Sequence, residues 1–278
     1  MHKPMSQPLS PSALAEIRER VREAVALSLF LDFDGTLAPI VNDPGDARLA
    51  PGVRKRLEAL AARNDTLVAI VSGRALADLR PRVGIASAIY AGNHGLEISG
   101  PEISGPELGG KPVSFVEPCA LARLEPLRRI CDNLTAALAH IPGARVENKV
   151  LTASVHYRQA AAGETGHITE IVQRELARAS ALSKLNHFRV NHGKMVLEIV
   201  PRTGWQKGAA VGWINARLAM PGARSIYIGD DRTDEDAFAR MTDEITIRVG
   251  RSAGTSARYF VKDPARVHAF LDWLSENR

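Results

Sequence analysis

The segment Leu29–Ile40, which reads LFLDFDGTLAPI, places two carboxylates directly after an uninterrupted apolar run. Such a run predicts a strand that is buried on both faces, as in a parallel sheet. Asp32 and Asp34 are two positions apart, so in an extended chain both side chains point to the same side. Carboxylates held this close repel each other, and burial increases that cost. The segment therefore predicts a buried strand end that either binds a cation or makes use of the repulsion.

Apolar runs of the same kind recur along the chain and alternate with helical patterns. Buried strands are predicted at TLVAIVSG, ASAIYAGNHG, RSIYIGDD and EITIRVG, with helices between them. This alternation predicts an α/β fold in which a doubly wound, mostly parallel, Rossmann-like sheet has helices on both faces. Ligands bind such sheets at the carboxyl ends of the strands, where the two aspartates lie.

The pattern changes in the middle of the chain. A tandem repeat of ISGPE at 98–107 contains Gly and Pro and predicts a hairpin tip or a linker. A long helix over 118–140, two strands, a second helix and two further strands follow, an order typical of an α+β layer. We therefore expect a second domain inserted into the first. The expected boundaries are a main domain of residues 1–111 and 199–278, with 1–11 a flexible tail, and an inserted α+β cap domain of residues 112–198.

Bulk composition narrows the classes of protein to which the chain can belong. The 278 residues carry a net charge of +5 with a pI near 9.4, which suits a phosphorylated small molecule as well as a nucleic acid. Aromatic residues make up only 5% and do not interleave with a basic run, so nucleic-acid binding is not expected. The two cysteines form no metal-type motif, and no apolar run reaches the roughly 20 residues that span a bilayer. We expect a cytoplasmic monomer with a small-molecule substrate and no membrane partner.

Three further segments bring functional groups to predicted strand and helix ends. Ser72 follows the strand TLVAIV, Lys207 lies near the start of a helix, and Asp230 follows the apolar strand SIYIG. Taken singly, Ser72 has an ordinary explanation as a turn residue and Lys207 as a solvated side chain. Asp234 is explained as an acid at a helix start, where the helix dipole favours it, but Asp230 is not. Together these segments place carboxylates, a hydroxyl and an ammonium at one sheet edge.

Such a set of groups suits a phosphate ester bound together with a divalent cation. Hard oxygen ligands favour Mg²⁺, which keeps several of its waters and bridges to phosphate. Mg²⁺ would offset the repulsion among Asp32, Asp34 and Asp230. Ser72 and Lys207 would then bind phosphate oxygens. The sequence therefore predicts a Mg²⁺-dependent site for a phosphorylated small molecule.

Four motifs, namely DFDGT, VSG, the lysine of GWQKGAA and GDDRTDED, resemble those of the haloacid dehalogenase superfamily of phosphatases. Further segments narrow the resemblance: AGNHGLE, VENK, LTASVHYR, GKMVLEIVP and YIGDDRTDEDAF are similar to the trehalose-6-phosphate phosphatase family. The resemblance extends from about residue 29 to residue 241. It implies a haloacid dehalogenase core with an inserted cap, and Mg²⁺-dependent hydrolysis of trehalose 6-phosphate to trehalose and phosphate.

The resemblance implies a role for each matching core residue. Asp32 would be the nucleophile that forms an aspartyl phosphate, and Asp34 would be first the general acid and then the general base. Ser72 and Lys207 would stabilise the charge of the transferring phosphoryl group. The implied ligands of Mg²⁺ are the Asp32 carboxylate, the Asp34 backbone carbonyl and Asp230, supported by Asp231 and Asp234.

The resemblance also implies a set of substrate-binding residues. The set comprises Arg74 after the VSG turn, the core turn residues Asn93, His94 and Gly95, and the cap residues Glu147, Lys149, Arg158, Lys194 and Glu198. A neutral disaccharide needs fixed donors and acceptors, which polar strand positions supply. Cross-strand charge pairing on an exposed sheet face is the competing explanation for the charged cap residues.

Three alternatives to this function remain. The first is another sugar-phosphate phosphatase of the same superfamily, of the sucrose-phosphate or mannosyl-glycerate-phosphate type, and the cap residues would decide it. The second is a mutase similar to phosphomannomutase, which shares the opening motif but must exclude water. The third is a regulator that binds a phosphosugar without turnover. Intact Asp32 and Asp34 argue against the regulator, because a sensor needs no nucleophile.

Overall fold

The computed structural model describes residues 6–102, 111–183 and 186–278. In these residues the chain forms thirteen β-strands and nine α-helices. The strands are β1 Gln7–Pro8, β2 Leu27–Leu31, β3 Thr66–Val71, β4 Ile89–Gly92, β5 Glu97–Glu102, β6 Pro112–Val116, β7 Arg145–Asn148, β8 Ala153–His156, β9 Phe188–Gly193, β10 Val196–Pro201, β11 Arg224–Gly229, β12 Ile245–Val249 and β13 Tyr259–Val261. The helices are α1 Pro11–Glu23, α2 Val53–Ala61, α3 Leu76–Val83, α4 Pro118–Leu121, α5 Leu124–Leu138, α6 Thr165–Ser183, α7 Lys207–Leu218, α8 Glu235–Arg240 and α9 Pro264–Asn277.

The main sheet has the strand order β1-β13-β12-β11-β2-β3-β4-β5-β6. Neighbouring strands are parallel from β1 through to β4, and β5 pairs with β4 in the antiparallel direction. This arrangement confirms the predicted α/β fold with its mostly parallel sheet. Because β11, β2 and β3 are adjacent, the segments that follow their carboxyl ends come together at one edge of the sheet.

Both faces of the central strands are buried because successive side chains enter two different cores. Leu29 and Leu31 of β2 join a core that also contains residues of α1, α2 and α9. Phe30, between them, joins a second core with residues of α7 and α8. All five residues of β2 are buried. A strand between two layers of helices requires an uninterrupted apolar run of this kind.

The chain divides into two compact units, one of Met1–Phe115 with Trp205–Arg278 and one of Val116–Gly204. The first unit contains the main sheet and the second is inserted into it. The divisions lie a few residues later than the expected boundaries at 111/112 and 198/199. The reason is that β6 extends the main sheet beside β5, while β10 continues the second unit's sheet to Pro201.

The second unit is an antiparallel sheet in the order β7-β8-β10-β9 with two long helices. Residues of α5 and α6, among them Leu134 and Val172, form one core with Ala153 and Val155 of β8 and Leu197 of β10. Side chains at the alternate strand positions therefore lie on the opposite face of the sheet. The helices and strands follow one another in the order that the sequence predicts for an α+β layer.

The expected single helix over 118–140 is wrong, because the structure has two helices, α4 and α5, separated at residues 122–123. Arg123, at the N-terminal cap of α5, has non-helical angles of φ −111° and ψ 11°. Pro126 explains the break: in a continuous helix its ring would clash with the carbonyl of residue 122, and it has no N–H to donate. Among the described residues, none of the helices is sufficiently long and apolar to span a bilayer.

Two expectations about segments outside the regular pattern also change. The flexible tail over 1–11 is wrong for residues 6–11, because β1 pairs in parallel with β13 and Ser10 caps α1. The first copy of the ISGPE repeat lies in β5, where it pairs with β4 and extends the sheet. The second copy, 103–107, lies outside the described residues.

Candidate active site

Four of the predicted functional residues lie at the carboxyl ends of neighbouring strands or beside them. Asp32 follows β2, Ser72 follows β3 and Asp230 follows β11, and these three strands are adjacent in the sheet. Lys207 is the first residue of α7 and is buried. A parallel sheet aligns its strand ends at one edge, so residues far apart in the sequence meet there.

The ammonium group of Lys207 lies between two buried carboxylates. Its Nζ donates to Oδ1 of Asp32 and to Oδ1 of Asp234, each at 2.8 Å. All three side chains are at most 5% exposed. A buried ammonium needs opposite charges to compensate for lost hydration, and the two carboxylates provide them. This contact also explains a lysine at a helix start, where the helix dipole disfavours it.

The pKa values of both Asp32 and Lys207 are raised above their usual values. Burial raises the pKa of Asp32 well above its usual value; Lys207 opposes the shift, while Asp234 and Asp230 add to it. Burial alone would lower the pKa of Lys207, but the charges of Asp234 and Asp32 raise it well above its usual value. Lys207 is therefore a permanent cation, and a further positive charge beside Asp32 would favour the carboxylate form of that residue.

Asp230 completes a group of carboxylates that fits a divalent cation. Carboxylate oxygens of Asp32, Asp230 and Asp234 lie within 4.8 Å of one another. Gly35 leaves room for Asp230, because a side-chain carbon at position 35 would overlap its carboxylate. Anionic oxygens in this number suit Mg²⁺, which prefers hard oxygen ligands. The donor set therefore fits the predicted metal.

Asp231 organises the turn before α8. Its Oδ1 accepts hydrogen bonds from the N–H of Thr233 at 2.7 Å and of Asp234 at 3.2 Å. Its own N–H donates to Oδ2 of Asp234 at 2.9 Å. Asp231 therefore holds Asp234 in place, which agrees with a supporting role next to the carboxylate group.

The side chain of Asp34 points to Arg74. Nε of Arg74 donates to Oδ2 of Asp34 at 2.6 Å, and Nη2 donates to Oδ1 at 2.7 Å. Arg74 also donates to Oδ2 of Asp78 at 2.7 Å and to the carbonyl of Pro44 at 2.8 Å. Four hydrogen bonds thus hold Arg74, predicted as a substrate ligand, against the predicted general acid.

The alternation that predicts Asp32 and Asp34 on one side does not apply, because β2 ends at Leu31. A tight turn follows, in which the N–H of Gly35 donates to the carbonyl of Ala38 at 2.7 Å. The two carboxylates therefore face different partners, Lys207 for Asp32 and Arg74 for Asp34.

Ser72 is buried, and its neighbours fix the turn after β3. Its N–H donates to the carbonyl of Ala91 at 2.9 Å, so this N–H is taken up by the neighbouring strand β4 and only the hydroxyl is left for a ligand. The predicted core turn lies directly beside it: the N–H of His94 donates to the carbonyl of Ser72 at 2.9 Å, and the N–H of Asn93 donates to the carbonyl of Arg74 at 2.7 Å. The structure therefore brings the core turn next to Ser72 and Arg74.

The other contacts of the core turn hold it in place. Nδ2 of Asn93 donates at 2.6 Å to Oε1 of Glu97, which also accepts from the N–H of Leu76 at 2.9 Å at the start of α3. The carbonyl of Gly95 accepts a hydrogen bond from Nε1 of Trp205 at 2.7 Å. Asn93 and Gly95 thus tie the turn to the elements on either side of it.

In the second unit, the two predicted sugar-binding glutamates lie in one row across the sheet. The register places Glu147 opposite Ser154, Ser154 opposite Glu198, and Glu198 opposite Asn191. These positions alternate with the residues that pack against α5 and α6, so the row lies on the opposite face. Polar groups fixed on four adjacent strands can donate to and accept from the hydroxyls of a carbohydrate.

Two basic side chains lie against these glutamates. Nζ of Lys149 is 3.9 Å from Oε1 of Glu198, and Nε2 of His156 is 2.7 Å from Oε2 of Glu147. The hydrogen bond with His156 lowers the pKa of Glu147 and so favours its carboxylate form. These pairs also fit the competing explanation, in which charges on a sheet face compensate one another.

The other predicted cap residues lie in or near the hairpin turns. Lys194 is in the turn between β9 and β10 and therefore not on the strand that carries Glu198. Its carbonyl accepts from Nη2 of Arg158 at 3.0 Å. Lys149 follows the end of β7 and precedes Val150, whose φ of 73° is rare for a β-branched residue.

Two residues of the first unit that contact the site were not singled out from the sequence. Tyr227 in β11 donates to Oδ1 of Asp234 at 2.7 Å. Asp78 in α3 accepts from Nη1 of Arg74 and from Nε of Arg82, each at 2.7 Å. A tyrosine within an apolar strand looks like a core residue, and an aspartate in a first helical turn looks like a favourable dipole interaction.

Comparisons with known proteins cover most of the chain. The sequence model of the trehalose-phosphatase family matches residues 30–265. The trehalose-phosphate phosphatase of Mycobacterium tuberculosis is 36% identical over 263 residues, which cover 89% of this chain and 61% of that protein. The chain thus spans less than two thirds of the length of these mycobacterial relatives. Trehalose-phosphate phosphatase B of Arabidopsis thaliana is 34% identical over 275 residues, covering 96% of this chain and 71% of that protein.

Solved structures share the fold. The C-terminal domain of C. albicans trehalose-6-phosphate phosphatase has a TM-score of 0.77 at 23% identity, over 98% of this chain and 99% of that one. A structure described as a trehalose-6-phosphate phosphatase related protein has a TM-score of 0.73 at 24% identity, over 90% of this chain and 97% of that one. At these identities the likeness concerns the fold alone.

Proposed function

Because the chain belongs to the trehalose-phosphatase family, we propose that it hydrolyses trehalose 6-phosphate to trehalose and inorganic phosphate. The observation that carries the proposal is the buried group in which Lys207 bridges Asp32 and Asp234. This group offers a carboxylate nucleophile together with a fixed cation for a phosphoryl group. Its three carboxylates, counting Asp230, supply hard oxygen ligands that suit a divalent cation.

In the first step, a carboxylate oxygen of Asp32 attacks the phosphorus, and the bond between phosphorus and the sugar oxygen breaks. An aspartyl phosphate forms on Asp32. The leaving sugar oxygen takes a proton from the carboxylic acid of Asp34, because an alkoxide is a poor leaving group without one. To donate this proton, Asp34 must give up one of its two hydrogen bonds with Arg74.

In the second step, water attacks the phosphorus of the aspartyl phosphate and loses a proton to Asp34. The bond between Asp32 and phosphorus breaks, which releases inorganic phosphate and restores the free carboxylate. Asp34 enters this step as a carboxylate, the form in which both of its oxygens accept from Arg74. Arg74 therefore holds Asp34 in place for both proton transfers.

Lys207 and Ser72 bind the phosphoryl oxygens. An ammonium has three donors, and two of those of Lys207 bind Asp32 and Asp234. The third is left for a phosphoryl oxygen, whose charge it stabilises during transfer. The hydroxyl of Ser72, at the end of the neighbouring strand, supplies a second donor.

The cluster of carboxylates formed by Asp32, Asp230 and Asp234 would hold Mg²⁺. Asp32, Asp230 and the backbone carbonyl of Asp34 would be its ligands, supported by Asp231 and Asp234. When bound, Mg²⁺ supplies positive charge that offsets the carboxylates and the phosphate oxygens.

The second unit recognises the sugar in this proposal. Its polar row of Glu147, Ser154, Glu198 and Asn191, with Lys149 beside it, presents acceptors and donors in fixed positions. A site built to bind hydroxyls discriminates strongly against analogues that leave its polar groups unpaired. Arg158 and Lys194 are the other proposed substrate-binding residues of the second unit. In the first unit, the proposed substrate-binding residues are Asn93, His94 and Gly95.

A substrate panel with Mg²⁺ tests the proposal. Phosphate release is measured for trehalose 6-phosphate, sucrose 6-phosphate, mannosyl-glycerate phosphate and glucose 6-phosphate. We expect kcat/KM for trehalose 6-phosphate to exceed the others by at least about tenfold. A faster reaction with another sugar phosphate would replace the proposed substrate. Interconversion of mannose phosphates that depends on a bisphosphate would identify a mutase, and no release from any substrate would favour a regulator.

A further inference from the structure

Tyr227 is a fully buried tyrosine of β11 whose hydroxyl points to the candidate site. Its ring packs at 6.5 Å from that of Phe30 and at 5.5 Å, edge to face, from that of Phe238. Packing on both sides leaves the ring one position and therefore fixes the direction of the hydroxyl. That hydroxyl donates to Oδ1 of Asp234 at 2.7 Å.

Asp234 is held by protein donors at both of its oxygens. Oδ1 accepts from Nζ of Lys207 at 2.8 Å as well as from Tyr227, and Oδ2 accepts from the N–H of Asp231 at 2.9 Å. The carboxylate is fully buried. Gly229 makes this position possible, because a side-chain carbon there would overlap the Asp234 carboxylate. These contacts fix the position of the Asp234 carboxylate, which in turn contacts Lys207.

We propose that Tyr227 is a positioning residue, which fixes Asp234 so that Asp234 in turn fixes the direction in which Lys207 presents its remaining N–H to the phosphoryl group. This inference rests on the proposed function, in which Lys207 binds that group. Tyr227 does not touch the phosphate and acts only through Asp234.

Physical reasons favour such an arrangement. Lysine carries its charge on a flexible four-carbon stem, so a catalytic ammonium is effective only when other contacts fix its direction. One anchor, Asp32, loses its negative charge when one of its oxygens bonds to phosphorus in the aspartyl phosphate, which leaves Asp234 as the constant charged partner of Lys207.

A different role for Asp234 leads to different consequences. Its oxygens lie within 4.8 Å of those of Asp32 and Asp230, so it could instead be chiefly a metal ligand. Loosening a metal ligand weakens the response to Mg²⁺, whereas loosening the support of Lys207 weakens binding of a phosphoryl analogue. The two roles are therefore separable by measurement.

The test compares Tyr227→Phe with the unchanged enzyme, using p-nitrophenyl phosphate as well as the sugar phosphate. We expect kcat to fall about tenfold, as for the loss of one hydrogen bond to a charged group, with both substrates. Inhibition by orthovanadate, which mimics the transferring phosphoryl group, should weaken by a similar factor. The Mg²⁺ concentration for half-maximal activity should not change.

Tyr90→Phe is the matched control. Tyr90 is a buried tyrosine of the same sheet, and its hydroxyl donates to the carbonyl of Ile85 at 2.8 Å. Removing that hydroxyl should lower the melting temperature without changing kcat or orthovanadate inhibition. A loss of the same size in both variants would mean that Tyr227 only stabilises the fold, which overturns the inference.

A double-mutant cycle makes the test sharper, and its Asp234→Asn variant still tests the support of Lys207 if Tyr227→Phe does not fold. Asp234→Asn alone should weaken orthovanadate binding, measured by calorimetry, and adding Tyr227→Phe should cause no further loss. Losses that add independently, an unchanged kcat, or a raised Mg²⁺ requirement in place of weaker orthovanadate binding would each overturn the inference. Failure of trehalose 6-phosphate alone, with normal turnover of p-nitrophenyl phosphate, would refute the proposed substrate and leave this test intact.

Discussion

The ammonium nitrogen of Lys207 lies 2.8 Å from Oδ1 of Asp32, although 175 positions separate the two residues in the sequence. Asp32 follows the central strand β2, and Lys207 begins the helix that follows the inserted unit. The contact therefore joins the two chain segments of the first unit at their reactive residues. Changes to either residue therefore act on the other.

Replacing Asp32 with Asn should abolish turnover and leave the fold intact. Without the nucleophile we expect kcat to fall by at least about 10³-fold. In the absence of metal, the melting temperature should stay the same or rise, because the change removes charge from a buried group that also contains Asp230 and Asp234. Phosphate release and thermal unfolding in EDTA measure the two effects. Activity above about one tenth of that of the unchanged enzyme is incompatible with the nucleophile assignment.

Mg²⁺ should stabilise the folded protein by binding the carboxylates of Asp32, Asp230 and Asp234, and it should also activate the enzyme. A ligand at ten times its Kd contributes about 1.4 kcal/mol, so we expect the melting temperature to rise by about 2–4 °C. EDTA should remove both this shift and the activity. Asp230→Asn should reduce the shift, whereas Asp132→Asn, an exposed change on α5, should retain it. An equal shift in both variants would place the metal elsewhere.

Replacing Arg74 with Lys should affect substrates according to their leaving groups. Lysine cannot make the two-pronged contact that Arg74 makes with Asp34, so proton transfer by Asp34 should suffer. We expect kcat to fall about 10–100-fold with trehalose 6-phosphate and only a few-fold with p-nitrophenyl phosphate, whose leaving group needs no proton.

Arg82→Lys is the control for this experiment, because Arg82 contacts Asp78 at 2.6 Å and does not contact Asp34. It should leave the ratio of the two rates unchanged. Parallel losses on both substrates in the Arg74 variant would show that Arg74 does not act through the general acid.

Glu198→Ala should impair the sugar substrate selectively. Glu198 lies in the polar row of the second unit, 3.9 Å from Lys149. Its loss should lower kcat/KM for trehalose 6-phosphate by at least about tenfold, because sugar hydroxyls lose a partner, and should leave p-nitrophenyl phosphate nearly unaffected. Glu170→Ala, on the exposed surface of α6, is the matched control and should change neither value. Equal losses on both substrates would argue against sugar recognition by this row.

The two cysteines should differ sharply in reactivity. Burial raises the pKa of the Cys131 thiol to about 11, whereas Cys119 is exposed. Because the thiolate is the reactive form, a thiol reagent at pH 8 should modify Cys119 rapidly and Cys131 only after unfolding. Absorbance with a disulfide reagent measures this, and Cys119→Ser should remove the rapid phase. Rapid modification of Cys131 in the folded protein would contradict the packing of α5.

The strands of the central sheet could be predicted because their apolar runs are long and uninterrupted. Asp32, Ser72 and Asp230 each follow such a run, and their strands are adjacent in the sheet. Parallel pairing aligns these strand ends, so their proximity can be predicted without knowing any side-chain contact. The predictable part of the site is therefore the part that the backbone topology determines.

Short elements and side-chain partners could not be predicted in this way. β1 and β13 have two and three residues, too few to show a period. β1 forms by pairing with β13 across the length of the chain, and β13 also pairs with β12. The direction of Asp34 depends on Arg74, 40 positions away, and not on strand alternation. Tyr227 lies in an apolar strand and is therefore read as a core residue. Only the structure shows that its hydroxyl donates to Asp234.

The inserted unit has its own hydrophobic core, distinct from the two cores of the main sheet. In the described part of the chain, by contrast, Lys207 pairs with Asp32 and Asp234, which both belong to the first unit. Mutations that accumulate on the small sheet therefore leave the reactive lysine and its partners undisturbed. Under the proposed function, descendants of such a chain can diverge in the molecules they accept while inheriting the same groups for phosphoryl transfer.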